Sequence, residues 1–297
     1  MNKYLKAVLL LAFGGPESMD EVEPFLKSLM EGRQISVQQI EAVKSRYRLI
    51  GGGSPLKAIT RMQAQALERA LNTDRQEYRV FTGMAYTEPS IEHAVEYIVS
   101  LNIHDITALP LSPYYNSASS GKYIGKLEKV VAGRDLSVKI VKSYHTNPFF
   151  IKALQQGIIH ALKNMKSPFV IFSAHSLPVN TAKADGYVEQ LEQTLKLVLK
   201  DISLPQYQLA FQSKGMSGGE WLGPDVKDVM DMCAKNGKKN IVIVPYGFVS
   251  DHVETLYDID VVYRQHADSL GLNFVRTPSL NTSELFVRAL KDTVINV

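Results

Sequence analysis

Three side chains of this sequence have the type and spacing to do chemistry together: His175, Glu254 and Asp258. The chain has seven histidines and no HExxH pair, which excludes a zincin-type metal helix. Six of those histidines stand in helical or loop contexts, where an exposed or structurally satisfied imidazole is the ordinary outcome. His175 differs, because it follows the fully apolar run Val170-Ile171-Phe172 and precedes Ser176-Leu177-Pro178, where the chain must turn sharply. Glu254 and Asp258 lie in the segment Tyr246 to Asp258. There Ser250 or Asp251 is expected to cap a helix. At a spacing of i, i+4 the two carboxylates fall on one helix face, one turn apart. Oxygen ligands in such a row suit a hard divalent cation as it sheds water. A solvated face is the usual fate of an acidic pair, but Val253 and Leu256 point to burial of much of this helix. One imidazole and two carboxylates support metal chemistry or general acid–base catalysis alike, and the residues alone do not choose.

Two glycine-rich loops invite a phosphate-binding reading and fail it. Gly51-Gly52-Gly53-Ser54-Pro55-Leu56-Lys57 misplaces its lysine for a P-loop, and Leu56 stands where a dinucleotide fingerprint needs its third glycine. A tight turn with Ser54 as N-cap and Pro55 at the first helical position accounts for the segment. Arg46 and Tyr47, just upstream, could share a surface with Ser54 that suits an anionic carboxylate. Gly14-Gly15-Pro16 likewise reads as a turn that starts a helix.

The elements that must position these residues form a repeat. Val8–Ala12, Val80–Gly83, Val170–Ser173 and Ile241–Val244 are short, uninterrupted apolar runs separated by helical patterns, the mark of a parallel α/β sheet. They also pair. Val8–Ala12 leading to Pro16 matches Val170–Ser173 leading to Pro178, and Tyr78–Gly83 matches Tyr207–Gln212. Ala108-Leu109-Pro110 similarly matches Ile243-Val244-Pro245. The order strand, helix, strand, helix, strand occurs twice, which predicts two similar Rossmann-like, doubly wound domains. They are divided near Lys142–Pro148 into residues 1–145 and 146–297. Ligands on such sheets bind beyond the carboxyl ends of the strands, and a cleft between the domains would gather all of those ends.

The bulk composition agrees with an ordinary globular protein. Of 297 residues 45% are hydrophobic and 21% charged, and 33 basic against 30 acidic residues leave a formal charge of +3. No basic run is interleaved with aromatics, so no nucleic-acid partner is expected. Cys233 is the single cysteine, which excludes an intramolecular disulfide and an all-cysteine Fe–S cluster held by one chain. A reducing cytoplasm is the compartment that fits. Lys3, Lys6 and the apolar run Ala7–Phe13 mimic a signal peptide, but Gly14-Gly15-Pro16-Glu17 follows without a small-x-small cleavage pattern. Nothing approaches the ~20 apolar residues of a membrane span, so any membrane contact is expected to be peripheral. A monomer is the default expectation.

The motifs together resemble a known family. Val170 to Pro178 looks like the ferrochelatase signature: an apolar pair, x, Ser/Thr, x, His, Gly/Ser, an apolar residue, Pro. Gly247 to Asp258 resembles a second hallmark of that family, and Phe211-Gln212-Ser213-Lys214 with Trp221-Leu222-Gly223-Pro224 a third. Gly51–Leu56 and Gly14-Gly15-Pro16 are similar to two more, in the family's order and over almost the entire chain. The resemblance implies Fe²⁺ insertion into a porphyrin held between the two domains, without ATP and with no cofactor beyond the Fe²⁺ substrate. It implies that His175 and Glu254 are the metal and proton-transfer pair, and that Asp258 is the next acid on the metal's route. Phe13, Arg46, Tyr47, Ser54 and Tyr123 fall where relatives contact the porphyrin. Several positions depart from the pattern. Phe13 stands where some relatives carry a tyrosine able to ligate iron, Met30 and Ala85-Tyr86 replace basic residues, Ala184-Asp185-Gly186-Tyr187 replaces Gly-Asp-Pro-Tyr, and Val262 replaces an acid. The short chain resembles the soluble coproporphyrin III type more than the protoporphyrin IX type. A chelatase for cobalt or another metal, and a porphyrin or haem carrier without catalysis, are the alternatives.

Overall fold

The computed structural model describes residues 6–297 except 32, 74, 164, 205, 216 and 217. The described residues form eight strands: β1 (Lys6–Ala12), β2 (Tyr78–Met84), β3 (Asp105–Pro110), β4 (Ser137–Ile140), β5 (Phe169–His175), β6 (Gln206–Gln212), β7 (Asn240–Val244) and β8 (Asn273–Arg276). They make two four-stranded sheets in the orders β2-β1-β3-β4 and β6-β5-β7-β8. Every pairing is parallel. The second sheet therefore repeats the topology of the first strand for strand, as the paired motifs predict. The central strands β1 and β5 are apolar through their middles because helices cover both sheet faces, leaving Val8–Leu11 and Val170–Phe172 without solvent contact.

Helices supply what each sheet lacks. Leu56–Leu71 presents Ile59, Thr60, Gln63, Ala64, Leu67 and Leu71 as one buried stripe. Pro148–Leu162 begins at Asn147, whose side chain accepts from the N–H groups of Phe149 and Phe150. The same asparagine donates to Asp292 at 2.9 Å and so ties this start to the last helix, Glu284–Ile295. That last helix packs on both Pro148–Leu162 and Leu56–Leu71. As a result one core cluster holds Val8, Leu10 and Leu109 of the first sheet together with Val170, Phe172 and Val244 of the second. Phe150, Leu154, Phe286 and Leu290 lie in the same cluster. Each such side chain contributes about 1.5–3 kcal/mol by leaving water. The expected division between residues 145 and 146 falls in the segment that links β4 to Pro148–Leu162.

The helix expected after Ser250 is present but differs in kind. Glu254–Tyr263 is a π-helix, in which the N–H of Arg264 reaches back five residues to the carbonyl of Ile259. It continues as an α-helix over Arg264–Ser269. Neither Ser250 nor Asp251 caps it. The cap residue is Val253, without a side-chain bond, because both candidates are engaged elsewhere. Ser250 accepts from Gln63, and Asp251 accepts from Arg276, Ser279 and Asn281. Among the described residues no helix is long and apolar enough to cross a membrane.

Candidate active site

His175 is the last residue of β5, and the hydrogen bonds of the strand carry on past it. The N–H of Ser176 donates to Gln212 O at 2.8 Å, and the Ser176 hydroxyl donates to Leu222 O at 2.9 Å. The chain thereby turns at Pro178 with the imidazole left at the sheet edge. The loop after β7 is brought against this edge by Gly247. A Cβ there would stand 2.8 Å from the Cα of Ala174, so only glycine permits the approach. The Gly247 N–H donates to Ser173 O at 3.2 Å. The loop then delivers His252 and the first turn of the π-helix beside His175.

The result is a contact between residues far apart in the chain. His175 Nδ1 lies 3.0 Å from Glu254 Oε2, and His252 Nε2 lies 3.9 Å from the same oxygen. Gln212, fully buried at the end of β6, fixes the carboxylate's backbone: its amide donates to Glu254 O at 3.2 Å while its carbonyl oxygen accepts from the Ser173 hydroxyl. Burial would raise the Glu254 pKa, but the adjacent His175, with His252 and Arg46 behind it, pulls it down to about 2. Burial would lower the His175 imidazole, and the Glu254 carboxylate, aided by Asp258, holds it above the ordinary histidine value instead. When Nδ1 donates its proton to Glu254, Nε2 keeps a lone pair.

Both residues line a cavity of about 450 Å³ between the carboxyl ends of the two sheets. Its walls come from both halves of the chain. Phe13, Arg46, Tyr47, Tyr123, His175 and Glu254 all face it, as do Ser250 and His252. Phe13 belongs to an aromatic wall, with ring centroids 4.8 Å from Tyr86, 6.0 Å from Phe25 and 6.5 Å from Tyr123. The Arg46 guanidinium sits 5.6 Å from the ring of Tyr257 on the π-helix.

Two expected residues do not line the cavity. Ser54 is buried in packing. Its N–H donates to Pro16 O at 2.7 Å, its hydroxyl oxygen accepts from Leu56 N at 3.3 Å, and it fills the space beside Gly15. The following helix starts at Leu56 with Pro55 as its cap residue, one position later than expected. Asp258 stands four residues beyond Glu254 and accepts a hydrogen bond from the Ser213 hydroxyl. Ser213 holds a left-handed φ of 58°, which sets its side chain toward the π-helix. Burial, with the Glu254 charge adding to it, raises the Asp258 carboxyl against the pull of Ser213. Val262, one further step along, packs against apolar side chains, so the acidic row ends at Asp258.

The sequence reading singled out neither His252, Ser250, Gln212 nor Gln63 as site residues. His252 was visible two positions before Glu254. Gln63 left a subtler trace as a polar residue on the mostly apolar face of its helix.

The fold, two parallel sheets of one topology with a cavity walled by both halves, is one shared by solved chelatase structures. Solved structures of this class superpose on the chain. They include SirB from Bacillus subtilis with Fe³⁺, at a TM-score of 0.64 and 13% identity, covering 99% of this chain and 95% of that one. CbiX, described as the terminal enzyme for biosynthesis of siroheme in denitrifying bacteria, superposes at a TM-score of 0.55 and 10% identity, covering 98% and 99%. At these identities the likeness is one of fold. Sequence carries the assignment further. The model of the family Ferrochelatase matches residues 5–297. Proteins named ferrochelatase from Geobacter sp. (strain M21) and Aquifex aeolicus (strain VF5) are 36% and 35% identical, covering 97% and 98% of this chain and 97% and 99% of their own. The chain belongs to the ferrochelatase family.

Proposed function

We propose that this chain inserts Fe²⁺ into a porphyrin seated in the cavity, with His175 and Glu254 managing the two protons that leave. The observation that carries this reading is the 3.0 Å contact between His175 and Glu254 on the wall of the cavity. A free-base porphyrin loses two pyrrole protons as one Fe²⁺ enters, so charge balances without a reductant or ATP. The lone pair of His175 Nε2 accepts one proton as general base. The imidazolium that forms is stabilised by Glu254, which its neighbours His175, His252 and Arg46 keep ionised against the effect of burial. Its proton then passes to solvent, and the imidazole is free to take the second. Glu254 and Asp258, along the π-helix, offer oxygen ligands to the incoming cation in succession. The aromatic wall of Phe13 and Tyr123 grips the ring face. Phe13 has no ligand atom, so the metal receives none from that position.

Such an enzyme is formally a lyase. In this proposal it works as a cytoplasmic monomer with no cofactor beyond the Fe²⁺ substrate. The number of carboxylates on the ring separates the two candidate substrates, coproporphyrin III with four and protoporphyrin IX with two. Arg46 is the only lysine or arginine among the described residues that line the cavity. That wall favours the less charged protoporphyrin IX, against the preference for coproporphyrin III that the short chain suggested. Anaerobic insertion assays with Fe²⁺ and each ring, side by side, test both points. Failure with both rings would reject iron insertion. Turnover with Co²⁺ and a reduced tetrapyrrole alone would favour the related chelatase reading. Tight porphyrin binding without turnover of any metal would favour a carrier, which has no use for a proton acceptor beside the metal.

A further inference from the structure

Gln63 lies on Leu56–Leu71, a helix of the first half, yet its hydrogen bonds go to the second half. It is fully buried in a stripe that is mostly apolar, with Ile59, Ala64, Leu67 and Leu71 beside the polar Thr60. Its side-chain amide donates to the Ser250 hydroxyl oxygen at 2.9 Å and to the carbonyl of Asn281 at 2.8 Å. Placing an amide in such a stripe costs free energy unless its partners are held well, and here the carbonyl oxygen has no partner among the described residues. An apolar residue of similar length would avoid that cost, so packing alone does not account for glutamine at this position.

What Gln63 holds is the loop that carries two of the cavity's ionisable groups. Asn281, at a left-handed φ of 43°, donates its backbone N–H to Val249 O at 2.8 Å. Its side chain accepts from Asp251 N at 2.9 Å and donates to the Asp251 carboxylate at 2.8 Å. The Ser250 carbonyl lies 3.0 Å from His252 Nδ1, and the Thr255 hydroxyl oxygen accepts from His252 N at 3.0 Å. Residues 249–252 are therefore gripped at Ser250 and at Asn281, and Gln63 donates a hydrogen bond to each of them.

We infer that Gln63 is a positioning residue: acting across the two halves through Ser250 and Asn281, it sets where His252 and Glu254 stand relative to His175. The inference rests on the reading of His175 and Glu254 as the proton-handling pair, and the test separates the two.

Gln63→Met keeps length and volume and removes both donors. The first measurement needs no turnover. In the protein with ¹⁵N-labelled histidine, the Nδ1 resonance of His175 reports its pairing with Glu254. In Gln63→Met it should move at least halfway toward the position seen in Glu254→Gln. A resonance unchanged from wild type overturns the inference, whatever the activity.

The second measurement is anaerobic insertion of Fe²⁺ into protoporphyrin IX. In Gln63→Met, kcat should fall about tenfold or more while the porphyrin Kd, from fluorescence quenching, changes less than threefold. Leu71→Ala, a core change on the same helix matched for loss of Tm, serves as control and should leave kcat within about twofold. Equal falls of kcat in the two variants would reduce Gln63 to a packing role and overturn the inference. Should Gln63→Met not fold, Ser250→Ala removes one grip from the other side and should lower kcat severalfold; an unchanged kcat there also overturns it. If the wild type inserts no metal, the function reading fails, while the resonance still decides the positioning.

Discussion

His175 and Glu254 lie in hydrogen-bond contact, and that arrangement sets how turnover should respond to pH. The imidazole acts when neutral, so kcat should rise with pH through its pKa. Glu254 holds that pKa above the ordinary histidine value of about 6.5. In Glu254→Gln burial acts on the imidazole with its largest opponent removed, so the acid-side midpoint should move to lower pH while the maximal rate falls severely. A profile with an unmoved midpoint would show that the two groups are not coupled. His175→Ala should lower insertion by a factor on the order of 10²–10⁴, the range of a lost general base, and leave porphyrin binding largely intact. Turnover near wild type in that variant would remove His175 from the mechanism. Asp258→Asn should mainly raise the Fe²⁺ concentration needed for half-maximal rate, since Asp258 stands outside the cavity wall; a change in kcat alone would contradict a role in supply. His175 stood out in the sequence as a histidine ending an apolar strand and Glu254 as half of an acidic pair, but their pairing came only with the family resemblance. Ser54 is absent from the cavity wall, and a serine packed beside glycine leaves the same sequence trace as one that meets a ligand.

Among the elements, the segments after β5 and β7 do most to assemble the site, and they meet where Gly247 lies against Ala174. Gly247→Ala would force its methyl group into backbone at 2.8 Å, so the loop must shift. We expect a loss of about 1–3 kcal/mol by chemical denaturation, together with a fall in insertion larger than that loss of stability explains. Asp251, beside this loop, makes a different prediction. Burial would raise its pKa, but Asn281, Ser279 and Arg276 together lower it. A group depressed in the folded state stabilises above its unfolded pKa of about 3.9 and loses that contribution as pH falls through the folded value. Asp251→Asn should therefore cost about 1–3 kcal/mol at neutral pH, and less below about pH 4, in denaturant titrations. An equal cost at both pH values would show that the charge is not what matters. Strands β1 to β3 and β5 to β7 were readable because a run buried on both faces admits few alternatives, whereas the short, partly exposed β4 and β8 were not. The π-helix was not, since acids four apart beside apolar residues suit an α-turn as well as a wider one, and only the i→i+5 bonds distinguish them.

At the scale of the whole molecule, the repeat in the sequence suggested two bodies, and the core joins them. Residues from both sheets share one buried cluster, bridged by the helices Pro148–Leu162 and Glu284–Ile295, and Lys291 of the last helix donates to Ala70 O of the first half. We expect one cooperative unfolding transition, coincident by fluorescence and circular dichroism; two separated transitions would show that the halves are independent. Sequence could not reveal this, because a helix stripe shows that it will be buried and not against which sheet. The shared cluster also includes Tyr114, Leu177, Tyr187 and Val249, four residues that underlie or edge the cavity. Its floor is thus part of the buried cluster that joins the two halves. A clamshell that swings apart to free a flat product would have to tear that floor. The macrocycle should instead travel edge-on past the rim, with side chains stepping aside and the frame standing still, so that scattering profiles with and without bound ring would superimpose.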